Sequence, residues 1–104
     1  MPDKINKEVL VDAIAYQDGS IVSKQIIKKP NGNITLFAFD KDETLAEHIS
    51  PYEAVVYTID GEMEITIDGK LYNLKTGEII VMPPNISHGL KAAQKSKMLL
   101  TMIK

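Results

Sequence analysis

The chain has 104 residues, of which 44% are hydrophobic and 25% are charged, as in ordinary soluble globular domains. A chain of this length forms one domain around one core. Its 12 basic and 14 acidic residues give a formal net charge of −2, and the two signs are interspersed. Nucleic acid is therefore not an expected partner, because phosphate binding needs a basic face. The absence of cysteine excludes disulfides, thiolate metal sites and cysteine nucleophiles.

The first 20 residues carry only a weak apolar pattern. Residues Lys7 to Ala15 place their apolar side chains at mixed spacing, which predicts a short helix or an irregular arm. The N-terminus does not resemble a signal peptide, and no later run approaches the ~20 apolar residues of a membrane span. We therefore expect a cytoplasmic protein that does not bind membranes.

From Ile21 onward the chain consists of short β-prone runs separated by turn residues, a rhythm typical of an all-β sandwich or barrel. We predict one domain in which residues 1–20 form the arm and residues 21–104 form the barrel. The predicted strands are Ile21 to Ile27, Asn33 to Asp40, Leu45 to Ser50, Ala54 to Ile59, Glu62 to Ile67, Lys70 to Leu74, Glu78 to Met82, Gly89 to Ala92 and Lys97 to Ile103.

Three dipeptides between these runs favour tight hairpins that join adjacent strands. They are Asn31-Gly32, Asp60-Gly61 and Asp68-Gly69. Glycine, asparagine and aspartate tolerate the positive φ that such turns require. Antiparallel pairing of sequential strands is the expected result.

The apolar patterns of the strands differ. Glu62 to Ile67 alternates polar and apolar residues, which predicts one buried face and one wet face. In contrast, Ala54 to Tyr57 and Ile79 to Met82 are apolar on both faces. Such strands are covered on one side by the barrel interior and on the other by another sheet or subunit. This excess of apolar surface indicates a homodimer.

The only two histidines of the chain are candidates for a shared site. His48 and Ser50 lie two apart in a predicted strand, so both side chains are expected on the same face. His88 comes forty residues after His48 and follows the turn residues Pro83-Pro84-Asn85. Because a barrel brings distant strands together, we expect both histidines at the mouth of one pocket.

The spacing around these histidines resembles the two motifs of the cupin family. The first motif reads Gly, five residues, His-x-His, three or four residues, Glu, six residues, Gly. The second reads Gly, five residues, Pro-x-Gly, two residues, His, three residues, Asn. The corresponding residues here are Asp42, His48, Ser50, Ala54 and Gly61 for the first motif, and Gly77, Pro83, Asn85, His88 and Ala92 for the second.

The resemblance spans Asn33 to Ile103 and implies a cupin-type double-stranded β-helix, a jelly-roll-like barrel with the N-terminal helix or arm outside it. Cupins with a complete site bind a divalent metal through three histidines and a carboxylate. In this chain Ser50 replaces one histidine and Ala54 replaces the acidic ligand. His48 and His88 are the two remaining candidate metal ligands.

This degenerate donor set favours a weak metal site or none. A serine hydroxyl is a poor ligand and an alanine methyl contributes nothing, so no cofactor is firmly predicted; the candidate is a weakly bound divalent Zn, Fe, Ni or Mn ion. Glu47 and Glu53 are one residue out of phase with His48 and Ala54. Only a β-bulge would turn either carboxylate to the histidine face.

Three functions fit these features. The leading interpretation is a cupin that binds a small molecule in its barrel pocket, with His48, Ser50, Ala54 and His88 at the site. The alternative is a metal-dependent dioxygenase or isomerase that uses the two histidines as ligands, and the third is a structural dimer with a vestigial pocket. No catalytic residue is identified. Several large apolar side chains line the pocket or simply pack in the core: Phe37, Phe39, Met63, Met82, Met98 and Met102.

Overall fold

A computed structural model of the chain describes residues 5–104 and consists of nine strands after one 3-10 turn at Leu10–Asp12. The strands are β1 (Ile21–Lys29), β2 (Gly32–Phe39), β3 (Thr44–His48), β4 (Glu53–Asp60), β5 (Glu62–Ile67), β6 (Lys70–Lys75), β7 (Ile79–Met82), β8 (His88–Ala92) and β9 (Ser96–Ile103). They form a five-stranded sheet of order β1-β2-β9-β4-β7 and a four-stranded sheet of order β3-β8-β5-β6, antiparallel throughout. The all-β prediction is confirmed.

The core lies between the two sheets. Met63 and Ile65, the apolar members of the alternating strand, are fully buried, whereas Glu64 between them is not. The predicted alternation of β5 is therefore confirmed. The main buried cluster is formed by Phe39, Ala54, Val56, Met63, Ile65, Leu74, Met82, Leu90, Ala92 and Met98. Phe37 and Met102 are partly buried against it, so all six large side chains considered above contribute to core packing.

The turn predictions have mixed outcomes. Asp68-Gly69 joins β5 to β6 as a hairpin, and both residues have positive φ (50° and 79°) as expected. Asn31-Gly32 joins β1 to β2. Glycine is required at position 32 because the Met102 backbone lies close to it, so a Cβ there would be 2.7 Å from the Met102 carbonyl oxygen.

The prediction for Asp60-Gly61 was wrong. This dipeptide connects β4 in one sheet to β5 in the other, so it is a crossover and not a hairpin. Gly61 has a φ of +96°, and a Cβ on it would overlap the Lys95 carbonyl oxygen and Ser96 Oγ. Positive φ was expected at this position. A residue with positive φ can form part of a tight hairpin or of a crossover between sheets, and here it forms part of a crossover.

In the described part of the N-terminal arm, residues 5–20, the one regular element is the three-residue 3-10 turn Leu10–Asp12, so this part is an irregular arm with a single turn. No side chain caps that turn. The arm crosses the outer face of the five-stranded sheet, where Ile14 packs on Leu36 and Ala38. No helix within residues 5–104 is long and apolar enough to cross a membrane.

Polar contacts hold the arm against the sheet. The Tyr16 hydroxyl donates to Asp60 Oδ2 at 2.7 Å, and Lys97 Nζ donates to the Val11 carbonyl. Burial, followed by the bond to Asp60, raises the pKa of Tyr16. The Lys97 ammonium also lies 4.9 Å from the centre of the Tyr16 ring, a cation–π contact.

Candidate functional site

The two histidines lie side by side where β3 ends and β8 begins. His48 is the last residue of β3 and is paired directly with His88, the first residue of β8. Their ring centroids are 4.5 Å apart and the ring planes meet at 64°. His88 is only 4% exposed, whereas His48 is exposed to solvent. The pair thus has one side chain at the core and one at the surface.

A β-bulge turns His48 toward His88. Leu45 is paired with Leu90 and His48 with His88, so three steps along β3 match two along β8. Because of this extra residue, His48 lies on the same face as Leu45. Glu47 lies on the opposite face, where it covers Gly89 so closely that a Cβ on that glycine would be 2.8 Å from Glu47 Cγ. The bulge therefore does not bring the Glu47 carboxylate to the histidines.

Both imidazoles are oriented by carbonyl groups of their own chain segments. His48 Nδ1 lies 2.9 Å from the Ala46 oxygen, and His88 Nδ1 lies 3.3 Å from the Ile86 oxygen. A carbonyl oxygen only accepts, so each Nδ1 must carry the proton. In the neutral rings both Nε2 atoms are then lone-pair acceptors. Burial, with the neighbouring His48 second, lowers the pKa of His88 and favours that neutral form.

Ser50 does not belong to β3, which ends two residues earlier. The expectation that Ser50 shares a strand face with His48 was therefore wrong. The Ser50 hydroxyl accepts from the Tyr52 backbone N–H at 3.1 Å, which stabilises the irregular segment before β4. Its carbonyl accepts from the Asn85 N–H at 2.8 Å, and this bond joins the segment after His48 to the turn before His88.

Ala54 lies at the start of β4 in the main core cluster, 1% exposed and paired with Met82 and Met102. It provides a methyl group and no ligand atom. The four residues predicted for the site therefore differ in character. His48 and His88 present ring nitrogens, Ser50 ties two loops together, and Ala54 contributes to the apolar core.

Two residues that stand at glycine positions of the cupin motifs have positive φ. Asp42 has a φ of +70° and Asn85 a φ of +65°. Aspartate and asparagine are the non-glycine residues that adopt this left-handed region most readily. The turns before β3 and β8 therefore adopt left-handed conformations without glycine at these positions.

The donor set does not fit the four-ligand metal site that the motif resemblance implies. Within residues 5–104 no group of three or more His, Cys, Asp or Glu side chains is placed to hold a metal ion. The two imidazoles are good ligands, but Ser50 and Ala54 add none.

A shallow cavity of about 210 Å³ lies on the outer face of the four-stranded sheet, away from the histidine rings. Gly89 forms part of it, and Glu47, Glu64 and Lys91 contribute charged groups. This surface was not predicted from the sequence. The glycine directly after His88 was the available signal, because a missing side chain on a strand leaves a depression.

The sequence matches the family model described as "Cupin domain" over residues 35–104. The chain belongs to the cupin family. The match includes both motifs and all strands from β3 to β9. No curated protein matches this cupin.

Several solved structures are similar to this cupin. A conserved protein of unknown function from Streptococcus pyogenes is 31% identical with a TM-score of 0.92, and the alignment covers 99% of this chain and 90% of that one. A cupin 2 conserved barrel domain protein from Leptotrichia buccalis is 41% identical with a TM-score of 0.86, covering 90% of this chain and 46% of that one. A cupin superfamily protein from Desulfitobacterium hafniense, 20% identical with a TM-score of 0.88 over 98% of this chain and 93% of that one, shares the fold.

Proposed function

We propose that this cupin binds a small molecule at the open end of its barrel through the Nε2 atoms of His48 and His88. The observation that carries the proposal is the pair of Nδ1 contacts to Ala46 and Ile86, which leaves both neighbouring Nε2 atoms as acceptors. Two acceptors on adjacent rings complement a ligand with two hydrogen-bond donors. Hydroxyl and amine groups of an uncharged or cationic compound have this property.

The surroundings of His88 supply the apolar part of the site. Ile67 is paired with His88 from β5, and Leu90 follows on the same face of β8. Small-molecule sites commonly combine apolar walls with a few convergent polar groups. The exposed His48 ring then contacts the ligand from the solvent side, and the buried His88 ring contacts it from the core side.

The competing function is metal-dependent catalysis of the dioxygenase or isomerase type. The same neutral Nε2 atoms favour it, because a metal-ligating imidazole typically donates its other N–H to a carbonyl or carboxylate. Within residues 5–104 no third protein donor is placed beside the two histidines, which argues against tight binding. We therefore place this function second.

One set of variants separates the two functions. Wild type, His48→Gln and His88→Gln are compared with Glu47→Gln, a matched control whose side chain lies on the opposite face of β3. Each is titrated with a panel of neutral polyols and small amines while the melting temperature is recorded. We expect stabilisation that both histidine variants lose and the control retains. Stabilisation that survives both histidine substitutions would refute the site.

Metal analysis of the same untagged proteins tests the second function. Near-stoichiometric metal in wild type that is lost in the histidine variants would favour the metal-dependent enzyme. Metal bound equally by wild type and both variants would place it elsewhere on the protein.

A further inference from the structure

A lysine lies in the same row of the four-stranded sheet as the two histidines. Cα pairing connects His48 to His88 and His88 to Ile67. Ile67 is in turn paired with Lys70, so the row crosses the sheet from β3 to β6. Residues directly opposite one another on neighbouring strands point to the same side of a sheet. Because Ile67 packs against the main core cluster, this side is the inner face, and Lys70 shares it with the imidazoles.

This histidine–lysine row is the last row of the sheet before the turns. His48 and Ile67 are the final residues of β3 and β5. His88 and Lys70 are the first residues of β8 and β6, which run in the opposite direction. Since neighbouring strands are about 4.8 Å apart, the backbones of His88 and Lys70 are separated by about 10 Å. That distance leaves room for a small molecule to contact both ends of the row.

Lys70 has an unusual position for a lysine. Among the paired positions of β3, β8, β5 and β6, it is the only Lys, Arg, Asp or Glu on the inner face. A lysine is normally found on the solvent side of such a strand. The second lysine of β6, Lys75, follows that rule, because it is paired with Glu62 on the outer face. The remaining inner residues besides the histidines are apolar or aromatic: Leu45, Met63, Ile65, Ile67, Tyr72, Leu74, Leu90 and Ala92.

A cation–π contact holds the Lys70 side chain along the inner face. Its Nζ atom lies 5.3 Å from the centre of the Tyr72 ring. Tyr72 is paired with the fully buried Ile65, so the ring belongs to the next row toward the core. The ammonium therefore lies over the mouth of the barrel. No carboxylate neutralises it, since the one ion pair within residues 5–104 joins Lys24 to Glu8.

The inner faces of both sheets carry positive charge and no negative charge at their paired positions. On the five-stranded sheet the charged inner residue is Lys28, whose partner Asn33 is paired with Met102 of the inner face. An unopposed positive potential in a cleft favours an anionic ligand. The acidic residues of the strands lie on the outer faces: Glu47, Glu53, Asp60, Glu62 and Glu64.

We propose that the ligand of this site is a hydroxycarboxylate whose carboxylate binds the Lys70 ammonium. The inference rests on the proposed function, because the ligand hydroxyls donate to the Nε2 atoms of His48 and His88. The hydroxyl end faces two neutral rings and is uncharged, and the negative charge lies at the other end. Ile67, between His88 and Lys70 in the row, contacts the carbon chain. A charge-assisted bond to an ammonium is stronger than a neutral one, so Lys70 selects acids over neutral polyols.

Titration calorimetry with three probes of equal carbon number tests this selection. Gluconate has hydroxyls and a carboxylate, sorbitol has hydroxyls only, and hexanoate has a carboxylate only. Wild type should bind gluconate about 10-fold or more tightly than it binds either of the others. Lys70→Gln should reduce the affinity for gluconate to that for sorbitol and leave the sorbitol affinity unchanged. Lys70→Arg should retain the preference for gluconate.

Lys75→Gln is the matched control, because it removes the same charge from the outer face of the same strand, and it should bind gluconate as wild type does. The inference is overturned by gluconate that binds wild type no more tightly than sorbitol or hexanoate. It is also overturned by gluconate affinity that Lys70→Gln leaves unchanged, or that Lys75→Gln reduces equally. Sorbitol binding that His48→Gln abolishes would leave the proposed function standing in each of these cases. Gluconate binding that both His48→Gln and His88→Gln retain would instead refute the proposed function, and this inference with it.

Discussion

Replacing Gly61 by alanine should be far more damaging than its small size suggests. The residue has a φ of +96° at the crossover between the sheets, a conformation that costs an L-residue about 1–2 kcal/mol. The added Cβ would overlap the Lys95 carbonyl and Ser96 Oγ, and overpacking of this kind costs about 1–3 kcal/mol. Ser96 Oγ accepts from the Glu62 N–H at 3.0 Å, and displacing it would cost about 1 kcal/mol more.

Together these contributions predict a loss of about 3–6 kcal/mol in the free energy of unfolding, out of a typical total of about 5–15 kcal/mol. Gly19→Ala is the matched control, because Gly19 also has positive φ (65°) but a Cβ there meets nothing within 4 Å. That variant should lose only about 1–2 kcal/mol. Urea denaturation of both variants gives the comparison, and equal destabilisation would refute the steric argument at Gly61.

Three further predictions follow from the packing and the titrating groups. Met98→Ala removes a fully buried side chain and should lower the unfolding free energy by about 2–5 kcal/mol in urea titrations, whereas a loss below 1 kcal/mol would contradict its place in the core. Tyr16→Phe removes the bond to Asp60 and should cost about 0.5–1.5 kcal/mol, with Tyr72→Phe as an unaffected control. Folding lowers the pKa of His88, so the unfolded chain binds the proton more readily than the folded chain. The contribution of the neutral His88 ring to stability is therefore complete above the ordinary pKa of 6.5 and is lost as pH falls through the lowered pKa. Urea midpoints of His88→Gln should therefore depend less on pH below 6.5 than those of wild type, and identical slopes would count against the assignment.

Much of the barrel could be predicted from the sequence because strand signals are local. The alternation in Glu62 to Ile67 and the apolar runs of β4 and β7 depend only on neighbouring residues. Which strands pair is not local. Asp60-Gly61 has the composition of a hairpin, yet its flanking strands belong to different sheets, because packing of distant segments decides where a positive-φ turn leads.

For the candidate site, the motif spacing correctly predicts that His48 and His88 lie close together. It does not predict the β-bulge in β3 that turns His48 toward His88. A bulge leaves the residue pattern of β3 almost unchanged, so its position could not be read from periodicity. Periodicity therefore predicts a strand that continues to Ser50, whereas β3 ends at His48 and the Ser50 hydroxyl accepts from the Tyr52 N–H in the segment that follows. Hydrogen bonds of this kind depend on backbone geometry that a sequence pattern does not contain.

The bulge in β3 has a consequence for insertions and deletions in this strand. Deleting Ala46 would restore regular pairing and still leave His48 opposite His88, since the bulge contributes one extra residue between Leu45 and His48. It would also remove the carbonyl that fixes the proton on His48 Nδ1. A relative shortened by one residue here would keep the histidine in position, with the Leu45 carbonyl two residues before the ring in place of the Ala46 carbonyl. Alignments that count only the histidine would score the two chains as equivalent, although a different backbone carbonyl would stand two residues before the ring in each.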